Sequence, residues 1–184
     1  MKNKKIWVYV IVLLAFVGIN KLVYDYLNTN YKDNNQLIVD ETESKVNPAP
    51  DFLVKDVNGY NVRLSNSYGK PIILNFWASW CSNCAEQLEE MQSLYDRYQD
   101  DVVFFMVNVT DGKKETTTKA KAYINENGYT FPIYFDINNE ASIAYRASAI
   151  PMTFLIDQQG NLVSYGKGII SEDTISFNID KLME

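Results

Sequence analysis

Histidine is absent from this 184-residue chain, and cysteine occurs only twice. The first absence excludes a Ser–His or Cys–His dyad, an imidazole zinc site and a His-ligated haem. Two cysteines cannot make a four-thiolate cluster or a multi-bridge disulfide scaffold. Positive charge is also short, with 17 Lys and Arg against 23 Asp and Glu and a net charge of −6. No basic excess is left to neutralise phosphates, which excludes nucleic acid as a partner. What remains is the composition of a globular protein, 47% hydrophobic and 22% charged, rather than a disordered one. The strongest chemistry left is a single Cys-x-x-Cys, Cys81-Ser82-Asn83-Cys84.

The N-terminus has a different character. Three Lys lie in residues 1–5, and residues 6–19 then run without a charge. Extending the run to Tyr24 gives 19 residues, close to the ~20 that span a bilayer, with Lys21 snorkelling towards the headgroups. The basic start orients the N-terminus to the cytoplasm. A cleaved signal peptide begins the same way but needs a small-x-small site, and Ala15-Phe16-Val17 and Gly18-Ile19-Asn20 are poor ones. No Cys follows that could be lipidated. Residues 1–24 are therefore expected to be an uncleaved signal anchor, a transmembrane helix in a bacterial cell membrane, with everything downstream extracytoplasmic.

Residues 25–50 are polar and end in Asn47-Pro48-Ala49-Pro50, which predicts a flexible tether. Their one apolar patch, Leu37-Ile38-Val39, is too short to nucleate a core. The net charges are +4 for residues 1–24, −3 for 25–50 and −7 for 51–184. The last part is thus an acidic domain with little attraction to an anionic membrane surface.

From residue 51 onward, strand and helix patterns alternate. Phe52-Leu53-Val54 and Asn61-Val62-Arg63-Leu64 flank Asn58-Gly59, a hairpin signal. Residues 71–77 and 102–109 are nearly continuous apolar runs, as expected of strands covered on both faces. Between them, Cys84, Leu88, Met91, Tyr95 and Tyr98 recur at spacings of 4, 3, 4 and 3, one stripe of a helix over 81–99. A weaker helix is predicted over 113–127, stopped by Gly128. A short strand at 132–135 and a short helix at 138–145 follow. Two strands, 152–156 and 162–165, are joined by a turn at 157–161, and a helix over 171–183 ends the chain. The order predicts an α/β fold, a central mixed sheet with helices on both faces.

The local context of the two cysteines points to a chemistry. They follow a buried strand and open a helix, where free backbone N–H groups and the helix dipole favour a thiolate. The pKa of Cys81 should fall below the free value of about 8.5. A spacing of three brings both sulfurs to nearly one face, within bridging reach. Cys81 lies at the helix end and is reachable, whereas Cys84 lies on the apolar stripe. An exposed attacker and a protected resolver suit thiol–disulfide exchange. A structural disulfide and a copper(I) site of two thiolates are the alternatives. A c-type haem attachment needs His where Ala85 stands. Nothing in the sequence calls for a cofactor.

Asn75-Phe76-Trp77-Ala78-Ser79-Trp80-Cys81-x-x-Cys84 resembles the active-site strand and helix of thioredoxin-like proteins, and Ile150-Pro151-Met152-Thr153-Phe154 resembles their cis-proline strand. The N-terminal hairpin, the inserted helix and the anchor make the chain similar to the TlpA/ResA branch, membrane-anchored extracytoplasmic thiol–disulfide oxidoreductases. The resemblance covers about residues 48–184. It implies a thioredoxin-like fold with Cys81 and Cys84 as catalytic residues that form a disulfide. It also implies a cis Ile150–Pro151 bond beside Cys81, where Pro151 offers no competing N–H and the Ile150 backbone pairs with an extended substrate. Trp80 is expected to be a packing residue, a lid over the sulfurs, or both.

Two positions depart from family patterns. Asn75, as is common in the TlpA/ResA branch, stands where thioredoxin has a buried Asp, and Gln87 stands where this branch often has a Glu that manages the resolver's proton. Glu86 is turned about 200° from Cys84 round the helix and does not substitute for it. Water, or an acid from another segment, is then expected to serve Cys84. The partners implied are exported protein thiols or disulfides and a membrane redox partner, with reduction favoured over oxidation. The rival readings are a copper(I) chaperone and a redox-inactive interaction domain.

Overall fold

The computed structural model describes residues 18–24, 37–39 and 47–184. Residues 18–24 are helical and belong to a separate unit from Gln36–Glu184. Among the described residues no helix is long and apolar enough to cross a membrane. The expected anchor falls mainly on residues 1–17, outside the described residues.

Among the described residues eight strands form one sheet: β1 (Ile38–Val39), β2 (Leu53–Lys55), β3 (Asn61–Arg63), β4 (Ile72–Trp77), β5 (Val103–Asn108), β6 (Ile133–Phe135), β7 (Met152–Ile156) and β8 (Leu162–Lys167). Their order is β1-β8-β7-β4-β5-β6-β2-β3. β4, β5 and β6 run parallel, and all other neighbours are antiparallel. Parallel neighbours need a crossover. Helix α1 (Ser82–Tyr98) joins β4 to β5, and α2 (Thr117–Asn127) joins β5 to β6. Two further helices, α3 (Glu140–Ala144) and α4 (Glu172–Met183), complete the α/β layers.

The almost wholly apolar character of β4, interrupted only by Asn75, has its reason in two cores. Alternate side chains leave opposite faces of a strand. Ile73 and Trp77 pack with Cys84, Leu88 and Met91 of α1, Ala120 and Ile124 of α2, and Ile175 and Ile179 of α4. Ile72, Leu74 and Phe76 pack with Phe52, Val54 and Leu64 of the N-terminal hairpin and with Ala141 and Tyr145 around α3. The second core is aromatic, with Phe52, Phe76 and Phe154 rings 5.5, 5.7 and 4.8 Å from the Tyr145 ring. The predicted stripe of α1 is buried at Cys84, Leu88, Met91 and Tyr98, and Leu94 and Gln87 join it.

Two segments differ most from the sequence reading. The segment expected to be a tether contributes to the sheet: Ile38 pairs with Tyr165 and Val39 with Ser164, and Leu37 is buried in the first core. Pairing with β8 needs only backbone groups, so a two-residue strand covers an open edge without an apolar pattern of its own. Asn47, Pro48 and Ala49 are also bound to the 160–162 region. Residues 25–36 and 40–46 of that segment lie outside the described residues. Helix α2 begins at Thr117, four residues after the predicted start. The Asp111 carboxylate accepts from Lys113 N and Glu115 N, which holds residues 111–115 in a turn, and the Thr116 hydroxyl caps the helix by accepting from Lys119 N. Gly128 ends α2 in the left-handed region, φ 70°, where glycine carries no Cβ penalty.

The same topology positions the site. β7 runs against β4 with Met152 opposite Phe76. The two residues before Met152 therefore lie beside the C-terminal end of β4, where the cysteine segment begins.

Candidate active site

Cys81 and Cys84 form a disulfide, with Cα atoms 5.2 Å apart. Cys81 is the N-cap of the 17-residue α1. Its sulfur accepts from the Cys84 backbone N–H at 3.2 Å, and its carbonyl accepts from Cys84 N and Ala85 N. No acidic residue occupies the first helical turn. The N-terminal partial charge is thus directed at Cys81 Sγ without an opposing carboxylate on that turn. Cys81 is partly exposed and Cys84 fully buried, the asymmetry expected from the helical stripe.

The other segments converge on this point. The Ile150–Pro151 peptide is cis, and Ile150 O lies 3.6 Å from Cys81 Sγ. Pro151 is buried and Ile150 partly exposed. Trp80 is 48% exposed, so its ring serves the surface beside Cys81 rather than the core.

Asn75 and Gln87 are fully buried. Asn75 lies opposite Thr153 and donates to its hydroxyl at 2.9 Å. Asn75 Oδ1 meets no partner among the described residues. Gln87 faces the Cys84 side of α1, as its spacing predicts, but both ends of its amide are engaged. Its Nε2 donates to Ile170 O at 3.1 Å, and its Oε1 accepts from Ile170 N at 2.7 Å. Gln87 therefore fastens the segment between β8 and α4 to α1. Glu86 is exposed, in keeping with its position on the far side of the helix.

Sequence reasoning missed the loop after β5. Glu115 is fully buried and accepts from Ser79 N at 3.1 Å, Ser79 Oγ at 2.7 Å and Asn108 Nδ2 at 2.8 Å. A carboxylate thus holds the residue two before Cys81. Next to it, the Lys114 ammonium lies 3.4 Å from the centre of the Trp80 ring. The usable signal is topological. β4 and β5 are parallel neighbours, so the loops leaving their C-terminal ends must meet. Assigning 113–116 to a helix concealed it.

Among the described residues no group of three or more Cys, Asp or Glu side chains could hold a metal ion. The arrangement offers one accessible sulfur at a helix N-terminus, one protected sulfur within bonding distance, and a backbone carbonyl edge beside them.

Residues 46–165 match the AhpC/TSA family. The thiol-disulfide oxidoreductase ResA of Geobacillus kaustophilus (strain HTA426) is 31% identical over 173 residues, 94% of this chain and 91% of that protein. ResA of Bacillus subtilis (strain 168) is 33% identical over 136 residues, covering 73% and 74%. Among solved structures, StoA from Bacillus subtilis superposes with a TM-score of 0.61 at 29% identity, covering 74% of this chain and all of StoA.

Proposed function

We propose a mechanism for a chain that belongs to the AhpC/TSA family and, within it, to the ResA-like thiol-disulfide oxidoreductases: Cys81 attacks and Cys84 resolves. The observation that carries the assignment of roles is the position of Cys81 Sγ, part-exposed at the N-cap of α1 and already accepting a backbone N–H, while Cys84 has no exposure. The Cys81 thiolate attacks one sulfur of a substrate disulfide. A Cys81–substrate disulfide forms, and the other substrate sulfur leaves as a thiolate. Cys84 then loses its proton to water or to that departing thiolate, because the Gln87 amide is committed to Ile170. Its sulfur attacks Cys81 Sγ and releases the second substrate thiol. Two electrons have passed to the substrate, and the protein holds the 81–84 disulfide.

Reduction is the favoured direction. Ser82 and Asn83 place no positive charge between the cysteines, so the thiolate is only moderately stabilised. A reduced form that is weakly stabilised leaves the disulfide favoured and makes the reduced protein an electron donor. Exported protein disulfides are the substrates. Ile150 presents its backbone to an extended substrate segment, and Trp80 flanks the entry to Cys81. Residues 1–24 anchor the domain on the extracytoplasmic side, where a membrane partner renews the dithiol.

The test is equilibration of the protein with glutathione buffers, combined with catalysed reduction of insulin. The expected result is a dithiol–disulfide couple more reducing than glutathione and insulin reduction lost in Cys81→Ser. A couple more oxidising than glutathione would reverse the proposed direction. Tight copper(I) binding without any exchange would replace the mechanism with metal carriage.

A further inference from the structure

We infer that Lys114, held on the face of Trp80, makes a positively charged lip beside the active-site sulfur and selects substrate cysteines flanked by acidic residues. The inference rests on the exchange mechanism proposed above and adds a substrate class to it.

The geometry fixes the charge in place. Lys114 Nζ lies 3.4 Å from the Trp80 ring centre, close for a cation–π contact. Its backbone is secured on both sides. Asp111 accepts from Lys113 N and Glu115 N, Gly112 N donates to Glu115 O, and buried Glu115 is bonded to Ser79 and Asn108. The loop therefore grips the residues just before Cys81 twice, through Ser79 from below and through Trp80 from outside. Such a loop keeps the Lys114 backbone beside Trp80 when substrate docks.

The charge is also available. Lys114 is exposed, and the ion pairs among the described residues, Arg63–Asp51 and Arg97–Glu172, do not involve it. Its nearest chain neighbour of opposite sign, Glu115, is buried and faces Ser79. Lys113 and Lys119 are exposed close by in sequence, and Lys119 Nζ binds Lys114 O at 2.8 Å. The exposed Asp111 of the same turn is occupied with the backbone N–H groups of Lys113 and Glu115, and the three ammoniums still leave a local positive excess on a domain whose residues 51–184 carry −7.

Cys81 follows Trp80 in the chain and has the Ile150 carbonyl 3.6 Å from its sulfur, so a substrate sulfur that reaches it docks beside both residues. Residues one or two positions from that sulfur lie within roughly 3–7 Å along an extended chain. A carboxylate there meets Lys114, and an ammonium is repelled. Such a contact sets discrimination more than bulk affinity.

The test uses the reduced full chain and three peptides, each with one internal disulfide, that differ only in carrying Asp, Ser or Lys beside the attacked cysteine. Second-order reduction rates are measured at low and high salt. The expected ratio of Asp to Lys peptide is about fivefold at low salt, the upper range for one exposed ion pair, and it shrinks at high salt. Lys114→Gln brings the ratio towards one, Lys114→Glu inverts it, and Lys114→Arg retains it. The readout is a ratio between peptides, so any effect of the ammonium on Cys81 itself divides out. A ratio unchanged by Lys114→Gln, or a wild-type preference for the Lys peptide, overturns the inference. If no peptide of any charge is reduced, the failure belongs to the exchange mechanism.

Discussion

Replacing Gln87 by Glu converts a neutral fastening into a titratable one, and the structure gives both sign and size. In the native protein the amide donates to Ile170 O and accepts from Ile170 N, at 3.1 and 2.7 Å, with no solvent exposure. An ionised carboxylate keeps the second bond but sets an oxygen against the Ile170 carbonyl. That removes one hydrogen bond and leaves a buried carbonyl unmet, a loss of about 1–3 kcal/mol, with the desolvation of the charge added. A protonated carboxyl restores the donor. The introduced group must therefore titrate above its ordinary value of about 4.3 in the folded protein. A carboxyl whose pKa is raised by folding binds more protons in the folded state, so the stability deficit grows as pH rises from about 4.3 through the raised value and then levels off. We expect Gln87→Glu to lie within about 1 kcal/mol of the parent at pH 4 and about 3 kcal/mol below it at pH 8, which corresponds to an upward shift of about two units. Urea unfolding of the oxidised protein at pH 4, 6 and 8 measures this, with the parent subtracted at each pH. A deficit equal at pH 4 and pH 8 would refute the reasoning. The same variant should change the pH profile of the step in which Cys84 resolves the mixed disulfide, since it puts a titratable group on the Cys84 side of α1.

Three further outcomes follow from particular contacts. Glu115→Ala strips the acceptor from Ser79 N, Ser79 Oγ and Asn108 Nδ2 and should cost about 2–4 kcal/mol. Glu115→Gln should recover more than half of it, because the Ser79 hydroxyl can turn to accept; denaturant midpoints decide between the two. Tyr145 is buried among aromatic rings, its hydroxyl has no partner among the described residues, and burial pushes its pKa far upward. Tyr145→Phe should raise stability by about 1 kcal/mol, and a loss in thermal unfolding would contradict that reading of the second core. Backbone N–H groups of Glu115 and Lys113 hold the Asp111 carboxyl below its ordinary range, so its support of the loop is complete above about pH 4 and lost as pH falls below it. Tryptophan emission should then show a transition that begins only below about pH 4 and that Asp111→Asn removes.

The elements that depend on periodicity were legible in the sequence. β4, β5 and the α1 stripe carry patterns set by burial on two faces or on one, and these patterns survive any detail of packing. The difference in exposure between the two cysteines was legible for the same reason, because a helix N-terminus and an apolar stripe distinguish Cys81 from Cys84 without coordinates. β1 was not legible. Its pairing uses backbone groups, and Ile38-Val39 is too short to show alternation. The 111–116 loop was hidden in a different way. Lys113, Lys114 and the three Thr at 116–118 carry no helical face, and the importance of Glu115 comes from Ser79, 36 residues earlier. The spacing of Gln87 placed it on the correct side of α1, but only the structure shows Ile170 taking both ends of its amide.

The division of labour between the two sulfurs is tested most directly by capture of a mixed disulfide with a single-disulfide peptide, followed by mass mapping of the bond. Cys84→Ser should trap the peptide on Cys81 in near-stoichiometric yield, because the attacker is intact and the resolver is gone. Cys81→Ser should trap little, because Cys84 is fully buried. Equal trapping by both variants, or a bond mapped mainly to Cys84, would contradict the assignment of Cys81 as the attacking thiolate.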